Sequence, residues 1–354
     1  MVLPEPRGDL GLREGYHSPQ VEVEVRLNTN ESPLPPPQAW IDELAAEVRA
    51  IAYHRYPDRA ATELRRAPAG LHGVRPEQVF CANGSNEVLQ CLCLAYGGAG
   101  RSVLTFEPTY ALHAHIAHLT GSAVAEAPRG PDFSIDPAVA RDFMATTSPA
   151  ICFLCSPNNP TGLAENPAGV RQIVDAAPGL VVVDEAYGQF ADWSAVGLVD
   201  DDTPLVVTRT FSKTWSMAGL RLGYLVGPAP VVRVLERVAL PYHLDVVKQA
   251  AGRLALRYVG EMEARVATIV GERRRLLAGL DSLGVVTWPS EANFVLFRPS
   301  DGRKGSEVWQ GLLDRSVLVR DTSSWPGLPD CLRVTVGTAR DNDRFLAALA
   351  EVLG

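Results

Sequence analysis

The chain has 354 residues, is 46% hydrophobic and carries 41 acidic against 33 basic side chains, a formal charge of −8. That length predicts a large core split into two lobes, and the acidic balance without a Lys/Arg run argues against nucleic acid or anionic membrane as partners. The opening MVLPEPRGDLGLREGY lacks an apolar core of signal-peptide length and no apolar stretch could span a bilayer, so a soluble cytoplasmic protein is expected.

In chain order, the first landmark is the Pro-rich Glu31 to Pro37 (ESPLPPP). It reads as a tether between an N-terminal arm, 1–34, and a large first domain, 35–235. Helical periodicity follows at Trp40 to Ile51 and again at Glu87 to Ala95. Between them, Leu64 to Leu71 has a helical pattern that Pro68 is expected to kink or end. Gly84, Ser85 and Asn86 precede the Glu87 helix, so their backbone N–H groups could hold a phosphate. GSN is equally an ordinary helix start with Ser85 as its cap.

Four short apolar runs then each end in a polar loop. They are Ser102 to Phe106 before EPTY, Ala150 to Cys155 before SPNNPTG, Leu180 to Val183 before DEAY, and Pro204 to Thr208 before RTFSK. Such runs between helical segments predict an α/β fold with a mainly parallel central sheet covered by helices, and ligands outside the carboxyl ends of its strands. Tyr110, after the first run, offers a ring to stack on a planar ligand, although a lone aromatic is also ordinary core. In HAHIAH, His113, His115 and His118 could suggest metal, but helical positions two apart diverge and no carboxylate motif follows, so no metal site is expected. Cys152 and Cys155 have CxxC spacing on a strand, which turns them to opposite sides, and they read as buried free thiols.

The chemistry-bearing types come at the ends of these runs. Asp184 ends LVVV and could pair with a protonated ring nitrogen; alone, such an Asp also serves as a helix cap or turn residue. Tyr187, three residues on, and Asn159 in SPNNPTG could donate to a ring oxygen from two sides, and SPNNPTG is otherwise a Pro/Asn/Gly turn. The most telling stretch is Thr210 to Tyr224, TFSKTWSMAGLRLGY. Thr210 and Ser212 share a face of an extended chain, Lys213 points elsewhere, and Arg221 follows eight residues later. Hydroxyls and guanidinium that grip a phosphate while an amine condenses with an aldehyde suit pyridoxal 5′-phosphate. Beyond, Glu261 to Leu283 predicts a long amphipathic helix of a smaller α+β C-terminal domain, 236–354, closed by a helix over Asp341 to Leu353.

On the segments RLNTNESP, HRYPD, CANGSNEVL, FEPTY, SPNNPTG, VVVDEAY, TFSKTWSMAGLRLGY, EANFVLF, VLVRD and CLRVTVGT, which run from Arg26 to Thr338, the chain resembles a known family. These are the fold type I pyridoxal-phosphate aminotransferases of class II, and among them the histidinol-phosphate aminotransferases. The resemblance implies that Lys213 is the Schiff-base lysine and proton-transfer base and that Asp184 partners the ring nitrogen. It implies Asn159 and Tyr187 at the ring oxygen, Tyr110 stacked on the ring, and Thr210, Ser212, Arg221 and the Ser85/Asn86 backbone on the phosphate. Tyr56, in HRYPD, resembles a tyrosine that reaches the phosphate of the neighbouring subunit, which implies a homodimer with shared sites.

The implied reaction is transamination of L-histidinol phosphate with 2-oxoglutarate, giving glutamate, as a step of histidine biosynthesis. Arg333, in CLRVTVGT, matches the arginine that binds the substrate's acidic group. Arg320, in VLVRD, offers a second cation or else an ion pair with Asp321 or Asp314, and Tyr16 in the arm a lid hydroxyl. Relatives with this backbone act on phenylalanine or tyrosine, and decarboxylases of phosphorylated amino acids share the scaffold, as would a binding protein that keeps the cofactor without turnover. These alternatives stay open on sequence alone.

Overall fold

The structure is a computed structural model and describes residues 19–354. Its central element is a seven-stranded sheet of β2 (Val79–Ala82), β3 (Ser102–Glu107), β4 (Ala123–Pro128), β5 (Ile151–Cys155), β6 (Leu180–Asp184), β7 (Leu205–Thr210) and β8 (Gly223–Val226), numbered after the short β1 (Val25–Leu27). The spatial order is β2-β8-β7-β6-β5-β3-β4, and only β8 runs against its neighbours. Alternation along the strands explains why the apolar runs are continuous. Val181 and Val183 enter one core with Leu104, Leu154 and Val207, while Leu180 and Val182 enter another with Val103, Phe153 and Val206. Both faces are therefore covered, as expected of parallel strands.

A second, five-stranded sheet adds β9 (Val286–Thr287), β10 (Phe294–Arg298), β11 (Val317–Asp321) and β12 (Leu332–Thr335) in the order β1-β11-β12-β10-β9. Its core packs against the helices Val259–Ser282 and Ala339–Leu353 through Leu276, Leu280, Phe345 and Leu349. β1 comes from the segment read as an arm and pairs parallel with β11, Val25 opposite Val317. The helix Val246–Ala255 returns to the helix Gln38–Ala50, where Trp40 Nε1 donates to the Ala251 carbonyl at 3.1 Å. These packings cross the boundaries expected at 34 and 235. Among the described residues no helix is long and apolar enough to cross a membrane.

One local expectation is corrected. The helix Thr62–His72 runs through Pro68 without ending there. Proline removes one helical hydrogen bond, but Leu64, Pro68 and Ala69 are buried on one face. Gly73, at φ 65°, closes the last turn by donating to the Ala69 carbonyl, so tertiary packing and a C-terminal cap outweigh the lost bond.

The loops that follow the strands are tied down by a buried ion pair, Arg129 with Glu165. Arg129 also donates to the carbonyls of Phe106 (3.1 Å) and Phe133 (2.8 Å), and Glu165 accepts from the Ile135 N–H at 3.2 Å. Glu165→Ala leaves a buried cation without its anion, so it is expected to lower stability by about 3–5 kcal/mol. Urea denaturation of wild type and variant measures this, and a loss under about 1 kcal/mol would contradict the buried pairing.

Candidate active site

Because side chains on both sheet faces are committed to packing, polar groups emerge at the strand ends. A cavity of about 330 Å³ lies there, lined by Asp184, Tyr187, Thr210, Ser212, Lys213, Arg221 and Arg333 among others. Ser85, Asn86, Tyr110 and Asn159 line it too. The structure thus brings together residues that the sequence scatters from position 85 to position 333.

Asp184 ends β6 and is 2% exposed. Its Oδ1 accepts from the Thr208 hydroxyl (3.1 Å) and the Ala186 N–H (3.2 Å), and its Oδ2 lies 3.0 Å from His113 Nε2. His113 is fully buried, stacks on Phe153 with centroids 4.7 Å apart and meets Tyr110 edge-on. In the sequence His113 stands out only as a metal candidate, and Thr208 does not stand out at all. The signal for His113 was its place three residues after Tyr110, on the turn of helix that faces the same strand ends. Among the described residues no group of three or more His, Cys, Asp or Glu side chains is arranged to hold a metal ion.

Lys213 follows β7 and its Nζ donates to the Thr29 carbonyl at 3.1 Å. Burial pushes its amine down to about 7, and the nearby Arg333 and Arg221 cations act the same way against the opposing pull of Glu31. Cys155 also borders the cavity, where burial and the neighbouring Asp184 raise its thiol well above the ordinary range, so it stays protonated. Cys152 turns into the core on the other side of β5, and burial holds it at about 12.

The hydroxyl and guanidinium groups expected to grip a phosphate meet on the cavity wall. Thr210 Oγ1 donates to Ser212 Oγ (3.0 Å), and Arg221 Nη1 donates to the same oxygen (3.3 Å). Ser85 and Asn86 lie in the first turn of the helix Gly84–Tyr96, where backbone N–H groups have no helical acceptor. Ser85 is not the cap: Asn83 holds that position, and the Glu87 carboxylate accepts from its backbone (2.5 Å) and side chain (2.8 Å). A side chain at Gly223 would put Cβ 2.4 Å from Ser85 N, and one at Gly84 would come within 3.0 Å of Arg221 Nη2. Two glycines therefore let strand, helix end and guanidinium close on one small space.

The SPNNPTG loop divides its labour. Asn158 is buried and ties two loops together, donating to the Pro108 carbonyl (3.0 Å) and accepting from Thr109 Oγ1 (2.8 Å). Asn159 faces the cavity, and its Oδ1 accepts from Arg333. Arg333 is 2% exposed, donates to the Asn28 carbonyl at 2.9 Å and lies over the Phe294 ring. Tyr187 is buried, with its hydroxyl accepting from Asn30 Nδ2 at 2.9 Å. Thr29 and Asn30, unremarked in the sequence, are thus part of the wall.

Arg320 and Tyr56 are not among the residues that line this cavity. Arg320 pairs in register with Arg333 across β11 and β12 and lies over the Trp325 ring at 6.0 Å, beside the cavity wall formed by the described residues. The two aspartates considered for it are engaged locally, Asp321 by the Ser323 N–H and Asp314 by Gln310. Tyr56 is 81% exposed and stacks on Tyr242 at 4.6 Å, outside its own chain's cavity. Tyr16 lies outside the described residues.

The family model described as Aminotransferase class I and II matches residues 22–349. The chain belongs to that family. It is 45% identical over 356 residues to the histidinol-phosphate aminotransferase of Mycobacterium avium (strain 104), covering 98% of this chain and 88% of that one. It is 46% identical over 351 residues to that of Nocardia farcinica (strain IFM 10152), covering 96% and 89%. In fold it is similar to the crystal structure of histidinol-phosphate aminotransferase from Sinorhizobium meliloti in complex with pyridoxal-5′-phosphate, with a TM-score of 0.86 at 22% identity over 94% of this chain and 91% of that one. As an aminotransferase the chain is an enzyme acting on small molecules, and the cavity is its candidate active site.

For this aminotransferase, Gly223→Ala is expected to push the Ser85 N–H out of place and weaken binding of inorganic phosphate about tenfold, the scale of one charge-assisted hydrogen bond. Calorimetric titration of cofactor-free protein with phosphate measures it; unchanged affinity would move the anion site elsewhere.

Proposed function

We propose that this chain is a pyridoxal-phosphate-dependent aminotransferase that converts L-histidinol phosphate, with 2-oxoglutarate as amino acceptor. The observation that carries the reading is the identity of about 45% over nearly the whole chain to histidinol-phosphate aminotransferases. The cavity's donor set fits the cofactor: hydroxyls, a guanidinium and a helix start suit its phosphate, a carboxylate its ring nitrogen and an amine its aldehyde. When bound, pyridoxal phosphate supplies the electron sink for charge that develops at the substrate α-carbon.

The chain's own residues do the rest. Thr210, Ser212, Arg221 and the backbone of Ser85 and Asn86 would hold the cofactor phosphate. Asp184, braced by Thr208, Ala186 and His113, would pair with the ring nitrogen, and Tyr110 would cover the ring. Asn159 and Tyr187 would donate to its phenolic oxygen. Lys213 moves the proton at the substrate α-carbon; with its amine brought down to about 7, a neutral Nζ is available at physiological pH. Arg333 would take the substrate's anionic group, with Arg320 as a second cation and Tyr16 as a lid.

Two subunits would share these sites. Tyr56 is exposed and stacked on the exposed Tyr242, and would reach the partner's cavity across a homodimer. A cytoplasmic location goes with this biosynthetic role.

Substrate choice is tested by single-turnover spectra of the holoenzyme with one amine donor at a time. Histidinol phosphate is expected to convert the cofactor to its amine form at least about 100-fold faster than phenylalanine, because a phosphate dianion gains more from two cations than a monoanion. Faster conversion by phenylalanine would reassign the enzyme to aromatic amino acids, and release of carbon dioxide would make it a decarboxylase.

The amine's shift gives a second test. Below about pH 7 Lys213 is an ammonium ion and cannot attack an aldehyde; above it the amine is neutral. Capture of pyridoxal phosphate by cofactor-free protein should therefore speed up through neutrality and level off above about pH 8, whereas an unshifted lysine would keep gaining beyond about pH 10. Stopped-flow absorbance measures the rates, and Lys213→Ala should show no covalent capture at any pH.

A further inference from the structure

Tyr187 is held by a buried polar chain that no motif announced. The Asn30 N–H donates to Thr335 Oγ1 at 3.0 Å, and the Thr335 hydroxyl donates to Asn30 Oδ1 at 3.0 Å. A hydroxyl has one proton, and here it goes to the amide oxygen, which fixes the orientation of the Asn30 side chain. Nδ2 is left facing Tyr187 and donates to its phenolic oxygen at 2.9 Å. Asn30, Thr335 and Tyr187 are 1%, 3% and 5% exposed, so water does not compete for these bonds. Asn293, fully buried, donates to the Asn30 carbonyl at 3.1 Å and keeps the backbone in place at φ 55°, a conformation asparagine tolerates.

A phenolic oxygen that accepts an amide proton on one side must carry its own proton in another direction. We propose that Asn30 is a positioning residue that turns the Tyr187 hydroxyl proton into the cavity, so that Tyr187 donates to the phenolic oxygen of bound pyridoxal phosphate and does not accept from it. Thr335 acts behind it by setting the amide, and it stands two residues after Arg333 on β12. The strand that carries the substrate arginine thereby also orients the tyrosine. This depends on pyridoxal phosphate being the cofactor, as proposed above.

A donor to that oxygen stabilises the deprotonated chromophore, so its loss moves the pH midpoint of the cofactor's visible absorption band upward. The experiment titrates this band in purified holoenzyme for wild type, Asn30→Gly, Thr335→Val, Tyr187→Phe and the Asn30→Gly/Tyr187→Phe double variant. Glycine accepts the positive φ without strain, so Asn30→Gly removes the amide alone. The expected result is a rise of about one pH unit for Asn30→Gly, the size of one hydrogen bond to a charged group, and a smaller rise for Thr335→Val. Asn30→Gly should add nothing in the Tyr187→Phe background. A midpoint unmoved by Asn30→Gly, or moved equally in both backgrounds, overturns the proposal. If Asn30→Gly does not fold, an unmoved midpoint in Thr335→Val overturns it. Wild-type protein without a titrating band would instead overturn the cofactor reading, so the two failures are distinguishable.

Discussion

The strand-end half of the site follows from a sheet whose two faces are both buried. Val181 and Val183 point one way along β6 and Leu180 and Val182 the other, so no side chain in the middle of the strand is available for chemistry. The first position that escapes is the last one, Asp184. The same holds for β7, where Thr210 and then Ser212 and Lys213 emerge. Parallel strands place these exits at one edge, and loops from distant parts of the sequence meet there without any loop being long.

Within that edge, the charges are arranged in opposition to each other. Burial and the Arg333 and Arg221 cations together hold the Lys213 amine down at about 7. Both guanidiniums are themselves engaged: Arg333 by Asn159 and the Asn28 carbonyl, Arg221 by Ser212 and the Ala218 carbonyl. The field at the lysine is thus set by groups whose positions are fixed before any ligand enters.

The fold class and most cavity-lining residues were legible because they sit beside a strong local pattern. An apolar run that stops at DEAY or SPNNPTG marks a strand end, and the end is where ligands bind. What was not legible depended on contacts across the fold. His113 was hidden among three histidines, of which burial against Phe153 selects one. Pro68 reads as a kink or an end of its helix, and the end does not occur because local propensity cannot register the packing of Leu64 and Ala69. Arg320 is not among the residues lining this cavity, and Tyr56, expected to serve a neighbouring subunit, is exposed on its own chain. Asn30 has no local signal at all, since its partners are 157 and 305 residues away.

The pairing of β1 with β11 also determines when the enzyme becomes an enzyme. After β1, residues 29–31 line the cavity, and the carbonyls of Asn28 and Thr29 hold Arg333 and Lys213. Their strand finds its neighbour only at Val317, so a segment made early must wait for one made much later. A nascent polypeptide can complete the large sheet well before that, but its catalytic chamber lacks a wall until the C-terminal strands have left the ribosome.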